Sequence, residues 1–424
     1  MNILTMQPTP PTRNDDWQGW IRYGLQWAAL GSAASAPARD RAASDIRACP
    51  DPWGERWEGH ASPRWTAADA SAPASPSAPA SPSASSATSA TSATQAPDRR
   101  LAFVGYREDT PGERWRALFQ ATWPAYRAWY LSQGWEARPT LAEAEARLRE
   151  HMPELVDTWL ALVARTGHDP VAARLLTMWH LPLFATGCSQ VVITGESPRL
   201  VRNYDYDPNL FEGVVASTNY SGRRKVIGTS DLLWGLVDGM NEDGLTVSLT
   251  YGGLPTGPDA PAGFAVPLVV RYLLETCATV PEAIAALKRL PVAQSYNLAL
   301  LDTHGAHAAV FVGPGREPEV SDLRVTTNHR LGAVERPDVA GPLESKERQD
   351  LLLGALDEPA DEQVARFTRE PVRRQDYARG FGTLYTAEYR PAEGTLTYHW
   401  PDATWRRGFD DGEAEVEVWV RQNH

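Results

Sequence analysis

The sequence predicts a layered α+β fold, and three observations carry that prediction. Residues 112–179 place apolar side chains at helical spacing. At residue 188 the texture changes to short β-prone runs broken by turn residues. Helices over 264–290 and near 343–356 follow, and then a hairpin over 382–400. Strands, then helices, then strands make layers of sheet and helix around a shared core.

The elements can be justified in order. Trp115, Leu118, Phe119, Trp123, Tyr126, Trp129 and Tyr130 recur at three- and four-residue steps. Such a stripe predicts a helix with its aromatic side against the core. Thr140 and Glu143 have capping-box spacing for a second helix, and Pro153 either interrupts it or opens the next. Asp169-Pro170 reads as an N-cap with proline in the first turn, opening a third helical run to about Trp179. CSQVVIT, RLVRNYDY, GVVASTNY, KVIGTS and TVSLTYG read as strands. NLALLDTHGAHAAVFVG reads as a hairpin around Thr303-His304-Gly305. Within 264–290 two helices are predicted, the second opened by Thr279 and Pro281. The last hairpin turns at Ala392-Glu393-Gly394, and the chain holds no internal repeat.

Composition narrows the class. The chain has 424 residues, 42% of them hydrophobic, enough for one large core or two smaller ones. The formal net charge of −12 removes the basic footprint expected of a nucleic-acid binder. Cys49, Cys188 and Cys277 form no disulfide framework, and neither CxxC nor HExxH occurs. The nine histidines show no metal-ligand spacing, so no metal or bound cofactor is expected. The N-terminal residues lack the pattern of a secretory leader, and no apolar run approaches the roughly 18 residues of a membrane span. These readings predict a soluble cytoplasmic protein without nucleic-acid partners.

Residues 71–97 contain only Ser, Ala, Pro and Thr with one Gln. Without large apolar side chains the segment cannot offset the entropy of ordering, so disorder is predicted. Residues 1–70 carry several tryptophans but weak periodicity. Three stretches result: an extension and linker over 1–98, a helical segment over 99–187, and a strand-rich core over 188–424.

The chemically informative place is the helix-to-strand switch, Phe184-Ala185-Thr186-Gly187-Cys188-Ser189-Gln190. A lone cysteine is usually a small buried apolar group. Fourteen residues on, however, stands Val201-Arg202-Asn203-Tyr204-Asp205. Two adjacent antiparallel strands can set Cys188 beside Arg202 and Asp205. A guanidinium near sulfur favours the thiolate. A carboxylate nearby can hold an ammonium group or a water.

These residues resemble the N-terminal-nucleophile hydrolases. The resemblance is strongest to the branch containing acyl-coenzyme A:6-aminopenicillanate acyltransferase, with choloylglycine and penicillin V acylases as more distant relatives. It extends through His151-Met152-Pro153-Glu154-Leu155, Asp238-Gly239-Met240-Asn241-Glu242-Asp243-Gly244-Leu245 and Ser248-Leu249-Thr250-Tyr251-Gly252-Gly253. Tyr296-Asn297, Thr326-Thr327-Asn328-His329, Ser345-Lys346-Glu347-Arg348 and Gly382-Thr383-Leu384-Tyr385-Thr386 continue it, so it covers roughly 101–410. Two features depart from it: the long 1–98 extension, and Arg330 where relatives often carry an amide or an aromatic.

The resemblance implies a four-layer αββα sandwich and a self-activating thiol enzyme. The chain would cut itself between Gly187 and Cys188 by an N-to-S acyl shift and thioester hydrolysis. Gly187 offers no side chain to hinder attack on its carbonyl. The freed α-amine of Cys188, with an ordinary pKa of about 7.7–8.0, would then serve as general base. Arg202 would sit close to the thiolate, Asp205 would orient the amine, and Arg348 would complete the polar network. The Asn328 side chain and the Tyr251 backbone N–H would stabilise the oxyanion. Substrates would be small acyl amides, with acyl-coenzyme A as a co-substrate if the enzyme transfers acyl groups. The cleaved fragments would remain associated as a heterodimer.

Blander readings stand beside these. Arg202 and Asp205 can form a structural ion pair, Asn328 can cap a turn, and Asn241 suits a hairpin turn. His329 could pair with Cys188 as in a papain-like hydrolase, which needs no chain cut. The scaffold could also serve as a binding module without catalysis.

Overall fold

The computed structural model describes residues 99–182, 187–208, 210–253, 260–330, 344–377 and 381–420. The predicted extension over 1–98 lies outside the described residues.

Two sheets form the centre. The first has nine strands in the order β10-β9-β8-β7-β6-β5-β4-β1-β16. Its members are β1 (Arg99–Glu108), β4 (Val214–Thr218), β5 (Val226–Asp231), β6 (Gly235–Asn241) and β7 (Thr246–Tyr251). The others are β8 (Tyr296–Leu301), β9 (His307–Val312), β10 (Glu319–Ser321) and β16 (Ala414–Val420). The second sheet runs β11-β2-β3-β13-β14-β15, with β12 also paired to β13. It consists of β2 (Gly187–Ile193), β3 (Arg199–Tyr206), β11 (Val325–Thr326), β12 (Gln375–Asp376), β13 (Phe381–Arg390), β14 (Thr395–Trp400) and β15 (Ala403–Gly408).

The sheets face each other, with β2 and β3 against β7 and β8. Helices α5 (Val266–Thr276) and α6 (Val280–Leu287) cover the outer face of the first sheet. Helices α7 (Ser345–Gly354) and α8 (Ala360–Phe367) cover that of the second. The result is the four-layer αββα sandwich. Sandwiching explains why β2, β4, β5, β6, β7 and β8 are buried along their whole lengths. A strand covered on both faces has no solvent side, so its sequence does not alternate.

Helix α5 comes unusually near β6. A Cβ at Gly239 would stand 2.8 Å from Leu274 Cδ1 and 3.1 Å from Ile227 O, so any larger residue would push the Leu274 side chain aside. Asn241, at the end of β6, locks the same contact. Its Nδ2 donates to Leu274 O at 2.8 Å and Cys277 O at 2.7 Å, carbonyls at the C-terminal end of α5. Its Oδ1 accepts the Leu245 N–H at 2.9 Å across the β6–β7 turn. The residue read as a turn former therefore also caps a helix.

Four helices precede the sandwich: α1 (Glu113–Tyr130), α2 (Leu141–His151), α3 (Val156–Arg165) and α4 (Pro170–Leu176). Trp115, Phe119, Trp129 and Tyr130 of the predicted stripe are buried. Thr140 caps α2 by accepting the Glu143 N–H, and Asp169 caps α4 by accepting from Val171 and Ala172. Pro153 opens a short 3-10 turn between α2 and α3. Helix α4 stops at Leu176 and not at Trp179, because Met178 and His180 take left-handed backbone angles, φ 50° and 54°. Tryptophans tie this segment to the sandwich: Trp115 Nε1 donates to Leu233 O, and Trp234 Nε1 to Leu176 O, both at 2.9 Å.

Residues 99–187 are not purely helical, since they open with β1. That strand pairs in parallel with β4 and antiparallel with β16, inside the nine-stranded sheet. The stretches on either side of residue 188 thus share one sheet. Strands β1, β6, β10, β11, β12, β15 and β16 and helix α8 were not among the elements expected from the sequence, although β16, AEVEVWV, carries the alternation of a half-buried strand. Strands β15 and β16 expose one face to solvent.

Replacing Asn241 by Ala leaves the Leu245 N–H and two α5 carbonyls without their partner. Denaturant unfolding is expected to show a loss of about 1–3 kcal/mol. A loss below about 0.5 kcal/mol, the range of a neutral surface change, would contradict the capping role.

Candidate active site

The site is set by the pairing of β2 with β3. The register matches Gly187 with Asp205, Cys188 with Tyr204, and Gln190 with Arg202. Side chains alternate between the faces of a strand. Cys188, Gln190, Arg202 and Tyr204 therefore point between the two sheets. There Gln190 Oε1 accepts from Ser248 Oγ of β7 at 2.7 Å. Ser189, Asn203 and Asp205 point the other way, toward α7 and α8. Asn203 Nδ2 donates to the Phe367 carbonyl that ends α8, at 2.9 Å.

On the inner face, Arg202 Nη2 donates to Cys188 Sγ at 2.9 Å. Its Nη1 donates to Val237 O at 2.8 Å and Asp238 Oδ2 at 2.9 Å. The guanidinium carbon lies 4.9 Å from the centre of the Tyr204 ring. Burial works against the Arg202 charge, but the negative groups around it, Cys188 first, outweigh burial and raise its pKa.

On the outer face, Arg348 of α7 grips the backbone of the same cysteine. Its Nη1 donates to Cys188 O at 2.9 Å, to Asp205 Oδ2 at 3.3 Å and to Ser189 Oγ. Its Nη2 donates to Asn328 Oδ1 at 2.9 Å, and that oxygen also accepts the Cys188 N–H at 2.9 Å. Burial pushes the Asp205 carboxyl up, opposed by Arg348 and by the Thr383 hydrogen bond. Burial likewise pulls Arg348 down, opposed by Asp205.

A β-bulge makes this two-sided arrangement possible. The β3–β13 register shifts between Thr383 and Tyr385. Thr383 can then donate to Asp205 Oδ1 at 2.6 Å on the outer side. Tyr385, two residues on, still reaches inward and donates to Asp238 Oδ2 at 2.6 Å.

Cys188, Arg202, Asp205, Tyr251, Asn328 and Arg348 meet here, whereas Asn241 lies against the end of α5. Asn328 Nδ2 donates to Tyr251 O at 3.1 Å, bringing Tyr251 into the network through its carbonyl. Arg202 and Asp205 stand on opposite faces of β3 and form no direct pair with each other in the described contacts. Asp205 pairs with Arg348 instead, and Arg202 with Asp238. His329 Nδ1 lies 2.8 Å from Ser345 Oγ and 3.3 Å from Thr327 Oγ1. Sequence reasoning missed Asp238 and Thr383 as partners, because strands distant in the chain bring them in.

A second acidic centre lies beyond Tyr204, whose hydroxyl donates to Asp231 Oδ2 at 3.0 Å. Asp231 Oδ1 accepts the Leu232 N–H at 2.8 Å. Glu212 Oε1 accepts the Leu233 N–H and the Tyr126 hydroxyl, both at 2.6 Å. Leu232 and Leu233 hold left-handed φ values of 57° and 74°, a strained turn for leucine that these carboxyls pin. Burial and then the neighbouring Glu212 raise Asp231 to a pKa of about 7.

A match to the acyl-coenzyme A:6-aminopenicillanic acid acyl-transferase family spans residues 192–405, just over half of the chain. The chain belongs to this family, and its αββα sandwich is an N-terminal-nucleophile hydrolase fold. The family's name is that of an acyl-transferase. Among solved structures, a mutant of conjugated bile acid hydrolase from Clostridium perfringens is similar at 13% identity and a TM-score of 0.36. That similarity covers 56% of this chain and 97% of the other. The N-acylethanolamine-hydrolyzing acid amidase ortholog of Caenorhabditis elegans is similar at 17% identity, a TM-score of 0.38, and coverage of 51% and 99%. Penicillin V acylase from Agrobacterium tumefaciens is similar at 15% identity, a TM-score of 0.35, and coverage of 52% and 84%. No curated protein matches the chain. Among the described residues, no helix is long and apolar enough to cross a membrane.

The raised carboxyl of Asp231 has a measurable consequence. The folded chain keeps a proton that the unfolded chain releases, so this group's effect is destabilising as pH rises from about 4 to about 7. Asp231→Asn removes that term. Relative to the parent, the variant is expected to gain stability across that window, by at most about 1.4 kcal/mol per pH unit. Parallel stability–pH curves from thermal unfolding would contradict the assignment.

Proposed function

We propose that the chain is a cysteine N-terminal-nucleophile amidohydrolase or acyltransferase, activated by cutting its own Gly187–Cys188 bond. The observation that carries the reading is the grip on Cys188 from both faces of its strand. Arg202 meets its sulfur, Asn328 its N–H, and Arg348 its carbonyl. Three polar groups from β3, the β11–α7 connection and α7 converge on one residue that is wholly buried. Such convergence exceeds what a packing cysteine needs.

Activation begins with attack of Cys188 Sγ on the Gly187 carbonyl carbon. The C–N bond to Cys188 breaks, its nitrogen takes a proton, and a thioester to Gly187 forms. Water then hydrolyses the thioester, releasing the Gly187 carboxylate and a free α-amine on Cys188. Gly187 also packs closely: a Cβ there would stand 3.2 Å from Asp205 Cβ. Strand β1 supports the expectation that the fragments stay together, because its ladder to β4 and β16 does not depend on the cut bond.

In turnover, the freed amine takes the thiol proton as Sγ attacks the substrate's acyl carbon. Asn328 and the Tyr251 N–H stabilise the oxyanion, and Asp205 and Arg348 hold the amine's surroundings. The leaving group, the amine of an amide substrate or the thiol of an acyl-coenzyme A, departs with the proton, leaving an acyl thioester on Cys188. Water collects the acyl group in hydrolysis; a second amine collects it in transfer, with a linear acyl amide or an acyl-coenzyme A as donor. The small number of cysteines, without regular spacing, suits a reducing compartment such as the cytoplasm.

Intact-mass analysis under denaturing conditions is expected to show two chains, one beginning Cys-Ser-Gln-Val-Val. Cys188→Ala is expected to leave a single chain without turnover. Normal cutting in that variant would end the autocatalytic scheme. Asn328→Ala is expected to lower turnover by about 10²–10³-fold, the scale for one lost oxyanion donor. A loss under about threefold would remove Asn328 from that role.

A further inference from the structure

Asp238 lies directly behind the nucleophile and has no part in the scheme above. It sits on β6, fully buried between the two sheets. Four donors converge on its carboxylate. Arg202 Nη1 at 2.9 Å and the Tyr385 hydroxyl at 2.6 Å reach Oδ2. Thr229 Oγ1 at 2.8 Å and the Tyr389 hydroxyl reach Oδ1. Each lone-pair position faces a donor, which is the hydrogen-bonding pattern of an ionised carboxylate.

A buried carboxylate needs a cation as well as hydrogen bonds. Here that cation is Arg202, in an ion pair where both side chains have no solvent exposure. The other Nη of the same guanidinium holds Cys188 Sγ at 2.9 Å. Carboxylate, guanidinium and sulfur thus form a line across β6, β3 and β2, and two negative groups share one positive charge. Tyr385 and Tyr389 of β13 fix the far end of that line. A guanidinium is planar and rigid, so anchoring one Nη orients the other.

We propose that Asp238 is a positioning residue for the nucleophile: it fixes the Arg202 guanidinium against the Cys188 sulfur and holds back part of its charge. The proposal rests on Cys188 being the reactive thiol. It follows that removing the negative charge of Asp238 while keeping its shape strengthens the pull of Arg202 on the sulfur. Asp238→Asn does this. The amide oxygen can face Arg202 and Tyr385, and its NH₂ can face Thr229 and Tyr389, whose hydroxyls turn to accept. Tyr385→Phe does the reverse. It takes one donor from Oδ2 and leaves more of the carboxylate's charge on Arg202.

The other titratable groups facing Cys188 are Tyr204 of β3, Tyr296 of β8 and Arg348 of α7; Tyr385→Phe keeps the ring that packs 5.6 Å from that of Tyr204. The test is a titration of thiolate ultraviolet absorbance in the full chain, with the Cys188→Ala signal subtracted. Asp238→Asn is expected to lower the Cys188 midpoint by about one pH unit, the low end for a charge at this range. Tyr385→Phe is expected to raise it. A midpoint in Asp238→Asn equal to or above that of the parent would overturn the proposal. If circular dichroism shows that Asp238→Asn does not fold, Tyr385→Phe decides, and an unchanged or lowered midpoint overturns it. A parent chain with no Cys188-dependent signal between about pH 4 and pH 9 would instead remove Cys188 as the reactive thiol, and the proposal with it.

Discussion

The pairing of β2 with β3 is the constraint on which the rest of this structure depends. In an antiparallel pair, a slip of one residue turns every side chain to the opposite face. Here such a slip would carry Cys188 away from Arg202 and bring Asp205 between the sheets. Burial of both strands on both faces forbids it, since each would then present the wrong set of polar groups to a closed interior. Gln190 and Ser248 inside, and Asn203 with the end of α8 outside, hold the register from either side.

That register divides the electrostatics into two separate halves. Between the sheets, Asp238, Arg202 and the Cys188 sulfur form one charged line. Beneath α7, Asp205, Arg348 and Asn328 hold the cysteine's backbone. Each half couples a carboxylate to an arginine, so neither leaves a buried charge alone. The bulge in β13 allows one strand to serve both halves, Thr383 outward and Tyr385 inward. The sulfur and the backbone of one residue are thereby handled by different arginines.

The segment ahead of Cys188 is built into the sandwich and does not merely lean on it. Strand β1 lies within the nine-stranded sheet, and Trp115 and Trp234 cross-link the helices to the β5–β6 turn. The same turn carries Leu232 and Leu233 in left-handed geometry, pinned by Asp231 and Glu212. Because Tyr126 of α1 bonds Glu212 and Tyr204 bonds Asp231, this turn joins the helical segment to the strand opposite Cys188.

Much of the architecture was legible in local pattern. The aromatic stripe at helical spacing defined α1, Thr140, Asp169 and Thr279 marked helix starts, and RLVRNYDY marked β3 to the residue. Short-range chemistry decides these elements, so the sequence by itself determined them. The candidate site was legible only in part. The spacing of Cys188 and Arg202 on adjacent strands pointed to their contact, because a hairpin geometry is local. Asp238 and Thr383 were not legible as partners, because strands far apart in the chain deliver them to the site. Nor could pattern alone separate Arg202 and Asp205 into two halves, since that follows from which sheet or helix covers each face. Membership of β1 in the central sheet was hidden for the same reason: its partners β4 and β16 lie more than a hundred and more than three hundred residues away. Tertiary structure decided these matters, because long-range pairing, and not local propensity, chooses which buried polar groups meet.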